Sequence, residues 1–141
     1  MTCRCGTGET GETVTTAVID RWLDVIENGQ TAGLDDMLAE DAVFYSPAVF
    51  TPQRGRATAA AYLRAAEHMF AGTGFHYVNK WIGANSAVLE FAAEVDGIAV
   101  EGVDILHWND AGQLTTVKVM IRPFKAIQTV VAKMAELLAA Q

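Results

Sequence analysis

The sequence predicts an α+β fold: a strongly curved, mostly antiparallel sheet wrapped around helices into a cone-shaped barrel. Two changes of period carry this prediction. Up to residue 70, outside the brief segment 41–55, the apolar residues recur at spacings of three and four, as on helix faces, whereas from Phe75 to Ile121 they alternate every second residue. After Pro123 the helical period returns and runs almost to the end of the chain. Helices gathered before and after a run of hairpin-linked strands make an α+β fold rather than an alternating α/β one.

The first helix is read from Val18, Ile19, Trp22, Leu23 and Ile26, and Asn28-Gly29 stops it. A short second helix has Leu34, Met37 and Leu38 as its apolar stripe, with Asp35 and Asp36 near its positive end. "DAVFYSP" reads as a brief strand ended by Pro47, and "AVFTPQRG" as irregular. Arg56 to Phe70 forms a third helix with Ala59, Tyr62, Leu63, Ala66, Met69 and Phe70 inward, terminated by Gly72 and Gly74. Four strands follow, "FHYVNKWIG", "SAVLEFAAEV", "IAVEGVDILHW" and "QLTTVKVMI". The turns between them, at Gly83-Ala84-Asn85, Asp96-Gly97 and Asp110-Ala111-Gly112, favour antiparallel hairpins. Pro123 opens the closing helix, where its missing N–H costs nothing. Ile127, Val130, Val131, Met134, Leu137 and Leu138 form that helix's stripe.

With no repeat and no linker, residues 13–141 read as one domain. Residues 1–12, "MTCRCGTGETGE", are Gly/Thr-rich without periodicity and read as a disordered leader. Cys3 and Cys5 are too few and too close for a structural zinc site or a relaxed disulfide. The leader lacks the apolar core of a signal peptide, so the expected setting is cytoplasmic. The net charge of −7 and pI of about 4.8 argue against nucleic acid and anionic membrane surfaces as partners. No run approaches the ~20 apolar residues of a membrane span. Hydrophobic residues make up 51% of the chain and mean hydropathy is +0.19, which points to apolar surface hidden in a homo-oligomer.

One residue breaks the apolar pattern where chemistry is expected. In "VEGVDILHW", Val100, Gly102, Asp104, Leu106 and Trp108 share a face, so strand parity directs the Asp104 carboxyl into the interior. A buried carboxyl is costly when charged, so its pKa is expected to rise, which marks a functional candidate. The alternative is a structural Asp accepting hydrogen bonds from a helix or from Trp22. Glu101, Val103, Ile105 and His107, with Lys118, Met120 and Arg122, then form the outer face. Tyr62 lies on an inward helix stripe, and Tyr77 and Trp81 share the inward parity of their strand. Trp22, Trp81 and Trp108 together suggest an aromatic cage for a flat, apolar ligand. His68 ends the third helix, where it suits the helix terminus or reaches the cone's mouth. His76 and His107 face outward by parity. None of the histidines has metal-ligand spacing, and no phosphate loop or nucleophile elbow is present, so neither metal nor cofactor is expected.

The segments "WLDVIENGQTAGLDDMLAEDAVFYSP", "RGRATAAAYL" and "GVDILHWNDAGQLTTVKVMIRP" resemble the nuclear transport factor two-like superfamily over about residues 14 to 139. That group includes ketosteroid isomerase, scytalone dehydratase, limonene epoxide hydrolase and SnoaL-type polyketide cyclases. The resemblance implies a cystatin-like, ketosteroid isomerase-like cone that dimerises through its outer sheet face. Laid over the isomerase, "DAVFYSP" puts Ser46 where the base Asp stands, the first-helix Tyr falls at Trp22, and the second carboxylate falls on Asp104. A serine hydroxyl is far too weak a base to replace a carboxylate. The epoxide hydrolase's Arg/Asp/Asp cluster has no match at the inward positions Leu89, Phe91, Val117 and Val119. The resemblance therefore implies a hydrophobic small-molecule pocket. Its chemistry would be a cofactor-independent isomerisation, dehydration or cyclisation of a carbonyl, polyketide, terpenoid or steroid-like compound. Asp104 would be the catalytic group, with Trp22, Ser46, Tyr62, His68, Tyr77 and Trp81 shaping the substrate site. The alternative is a non-catalytic ligand-binding or dimerisation module of the same fold.

Overall fold

Helical spacing at the start of the chain produces the first layer of the core. In the computed structural model, which describes residues 2–141 and their side chains from Thr13 onward, α1 spans Thr2–Asn28. It buries Val18, Ile19, Trp22 and Val25. The expected disordered leader, residues 1–12 with Cys3 and Cys5, lies outside the residues whose side chains are described. A 3₁₀ turn at Thr31–Gly33 leads into the single-turn helix α2 (Leu34–Met37).

Leu38, expected on that helix, instead begins β1 (Leu38–Tyr45) in extended geometry, so the strand is longer than "DAVFYSP". The cause is tertiary: Leu38 lies opposite Leu114 of the last strand, and both are fully buried. Gln53–Arg54, read as irregular, form the two-residue strand β2 by pairing with Val43 and Phe44. Helix α3 (Arg56–Phe70) follows, then β3 (His76–Ile82), β4 (Ser86–Val95), β5 (Ile98–Trp108) and β6 (Leu114–Arg122). Asp96 and Gly97, both at positive φ, supply the turn between β4 and β5 that right-twisted hairpins prefer. Pro123 is the N-terminal cap of α4 (Phe124–Ala139), just outside the helix it was expected to open. On α4 Ala126 and Val130 are buried, whereas Val131, expected inward, is exposed.

Among the described residues the strands form one sheet in the order β2-β1-β6-β5-β4-β3. All neighbours are antiparallel except β1 and β6, which run parallel. The sheet is curved and open, with β2 and β3 at its edges. Its inner face carries Leu89, Phe91, Val100, Leu106 and Val117, all buried as the alternation requires. Helices α1, α3 and α4 cover that face in two apolar clusters, joined by the half-buried Tyr77 and Val119.

One parity expectation fails. The β3–β4 register slips between Tyr77 and Asn79, so that Tyr77 lies opposite Phe91 but Asn79 opposite Glu90 and Trp81 opposite Val88. This β-bulge at Val78 inverts the facing of everything after it. Tyr77 points inward, Asn79 donates to the outward Glu90 at 2.9 Å, and Trp81 ends 56% exposed on the outer face.

Candidate functional site

Asp104 is the one buried acidic side chain among the described residues, 6% exposed. Parity aims it inward, and its cross-strand neighbours Leu89 and Val119 offer it no polar contact. Its partner comes from β3. The Tyr77 hydroxyl donates to Asp104 Oδ2 at 2.6 Å, and itself accepts a hydrogen bond from Trp22 Nε1 at 2.8 Å. Helix α1, edge strand β3 and central strand β5 thus meet in a single chain of hydrogen bonds.

The register explains how Tyr77 reaches so far. Tyr77, Phe91 and Gly102 lie in one row across β3, β4 and β5, and Asp104 is the next inward position after Gly102. A Cβ on Gly102 would meet Phe91 at 2.5 Å and the Met120 carbonyl oxygen at 2.6 Å. The glycine therefore lets the Phe91 ring lie against β5, where it contacts Phe70, Phe75 and the Tyr77 ring edge-on.

Burial raises the Asp104 carboxyl from its ordinary 3.8 to about 7, while the hydrogen bond from Tyr77 pulls partly the other way. Burial, and then the facing Asp104 carboxylate, hold the Tyr77 phenol well above its usual range. Tyr77 therefore stays protonated and acts as a donor. Its hydrogen bond engages Oδ2, and among the described residues no side chain donates to Oδ1.

A cavity of about 50 Å³ opens beside Asp104. Its walls are apolar (Ile26, Phe44, Phe75 and Val130 among them), and Trp22 and Ser46 also line it. Ser46 Oγ accepts the Ala48 N–H at 3.0 Å, a local turn contact. Of the expected site residues, the structure thus brings together Asp104, Tyr77, Trp22 and Ser46.

It does not bring in the other three. Tyr62 stacks on Phe44 with ring centroids 5.0 Å apart and lies outside the cavity wall. His68 is exposed on the last turn of α3, because Leu63, Ala65 and Met69 hold the inward positions. Trp81 is turned out by the bulge. The expected cage of three tryptophans is likewise not formed, since only Trp22 lines the cavity and Trp108 is buried elsewhere in the core. Sequence reasoning missed Gly102 as the residue that seats Phe91. Its small size two places before Asp104, on an otherwise large inward face, was the available signal. Among the described residues no three metal-ligating side chains converge, and no helix is long and apolar enough to cross a membrane.

Residues 19–117 match the SnoaL-like domain family. A steroid delta-isomerase from Pseudomonas aeruginosa superposes with a TM-score of 0.85 at 29% identity, covering 90% of this chain and 93% of that one. A conserved bacterial protein with a cystatin-like fold from Silicibacter pomeroyi follows at 0.78 and 27% identity, covering 84% and 83%. An NTF2-like protein from Mesorhizobium loti, at 0.71 and 20% identity over 79% and 93%, shares the fold. No curated protein sequence matches the chain. With a match that spans most of the chain and a fold common to these structures, the chain belongs to the SnoaL-like domain family of the nuclear transport factor two-like superfamily.

Proposed function

We propose that the protein is a cofactor-independent catalyst of proton transfer on a hydrophobic carbonyl compound, of polyketide, terpenoid or steroid-like type. The observation that carries this reading is a lone carboxyl, poised near neutral pH, at the wall of an apolar cavity. A group with pKa near 7 is half charged at neutral pH and can both take and return a proton. As the anion it accepts a proton from a carbon next to the ligand's carbonyl. As the neutral acid it gives that proton to another atom, or donates a hydrogen bond to the carbonyl oxygen from Oδ1. Tyr77 holds Oδ2 throughout and steadies the charged form. The steroid delta-isomerase named above supports an isomerisation, while Ser46 and Trp22 supply neither a second base nor a phenol.

The test requires no knowledge of the natural substrate. Hydrogen–deuterium exchange at carbons adjacent to the carbonyl of the linear ketone 2-octanone, followed by NMR, is expected to be accelerated by the wild type. Asp104→Asn is expected to lower that acceleration about 100-fold or more. Equal exchange in both proteins refutes the proposal. The second reading, a non-catalytic ligand-binding module, is favoured by one feature: Trp22 is committed to Tyr77, and Tyr77 to Asp104. Ligand binding that depends on Asp104 without any exchange would establish it.

We also propose that a second copy covers the outer sheet face, as the resemblance implies. The register sets Trp81, Val88 and Ile105 in one row there, with Met120 opposite Val103 in the next. Trp81 and Met120 are more than half exposed, at 56% and 52%. Sedimentation at micromolar concentration is expected to show a dimer that Trp81→Asp with Val103→Asp converts to monomer. A monomeric wild type contradicts the proposal.

A further inference from the structure

The cavity at Asp104 and the groove beside it are unequal in size. About 50 Å³ holds roughly three or four water-sized groups, whereas ligand pockets run to about 300–1,000 Å³. A groove of about 430 Å³ lies next to it, and Ser46, Pro47, Val119 and Ile121 line both. Val119 is also the cross-strand neighbour of Asp104, so the groove reaches the residue beside the carboxyl.

Topology creates this opening. β1 pairs with β6 only as far as Tyr45 and Lys118, after which Ser46-Pro47 lead the chain away. From Val119 to Arg122, β6 has no strand on that side among the described residues. The loop that leaves β1 forms the far wall of the gap, with Val49, Phe50 and Pro52, and Ile127 of α4 adds to it. Val49 is 49% exposed and Phe50 fully so. Two adjacent apolar side chains standing in solvent beside an apolar groove suit a wall that completes its burial against a bound body.

Resting on the function proposed above, we infer that the ligand is a slender carbonyl compound with a long apolar body. Only the carbonyl end passes the neck at Ser46, Pro47, Val119 and Ile121 to meet Asp104. The body lies in the groove outside the cone, between the 46–52 loop and the free edge of β6.

Titration of 2-butanone, 2-octanone and 2-dodecanone, read by tryptophan fluorescence at pH 6, tests this. Affinity is expected to rise by about two- to fourfold per methylene along the series, as transfer of CH₂ groups from water requires. Val49→Ser with Phe50→Ser, both on the exposed loop, is expected to cut the dodecanone-to-butanone affinity ratio at least tenfold. Asp104→Asn is expected to weaken all three ketones by a common factor. An affinity that is flat with chain length, or a chain-length gain untouched by the loop variant, overturns the inference. If the flat series still responds to Asp104→Asn, the groove fails while the Asp104 reading stands. A steep, loop-dependent series indifferent to Asp104→Asn overturns the placement of the carbonyl end, and the proposed function with it.

Discussion

Replacing Asp104 by Asn is expected to stabilise the protein above pH 7, progressively more as pH rises from about 4. In the unfolded chain the carboxyl ionises near 3.8, and in the folded protein near 7. Between those values the folded state holds a proton that the unfolded state has lost. The contribution of Asp104 to wild-type stability therefore falls across this window and is least favourable above pH 7, while below 3.8 both states are protonated and the penalty vanishes. About three pH units at about 1.4 kcal/mol each make the effect roughly 4 kcal/mol. The stability of Asp104→Asn minus that of wild type, from denaturant melts, should grow by roughly 3 kcal/mol between pH 4.5 and 8. Taking this difference removes the titration of the other carboxylates. A difference that stays constant with pH shows an ordinary, hydrated carboxylate at this position. Tyr77→Phe should act in the opposite sense to a rescue. It removes the hydroxyl that favours the charged carboxyl, raising the Asp104 pKa further, and leaves Trp22 Nε1 without its acceptor.

Gly102→Ala is expected to destabilise the fold by about 3 kcal/mol or more, at the upper end of what overpacking costs. The added methyl collides with a ring that could shift and with a backbone carbonyl of β6 that could not, since β5 and β6 are paired along this stretch. Displacing Phe91 also disturbs the Tyr77 ring it packs against, so the near-ultraviolet aromatic signal should change along with the melting point. The control Asp110→Asn, in the exposed turn after β5, should stay within about 0.5 kcal/mol. Equal stability of Gly102→Ala and wild type would falsify the account of how Phe91 and Tyr77 are seated.

Much of this architecture is local and could be read from the chain. The strands β4 and β5 and the ends of α3 follow from alternation, turn residues and helix stop signals, which act over a few residues. The inward facing of Asp104 belongs with them, because parity along an unbroken strand is arithmetic. Leu38 and the pair Gln53–Arg54 were not legible, because each becomes strand only through a partner distant in sequence. Trp81 was misread for a different reason. A one-residue bulge leaves little trace in composition, yet it reverses every side chain beyond it, separating Trp81 from Tyr77 on the same strand.

By itself, then, the sequence determined the fold class, the order of elements and the presence of a carboxyl on an apolar face. Only the tertiary structure decided what that carboxyl meets. The row from Tyr77 through Phe91 to Gly102 is built by pairing three strands, and Trp22 arrives from the other end of the domain. Hydrogen bonds between residues 27 and 55 positions apart depend on register and helix packing, and no local spacing encodes them.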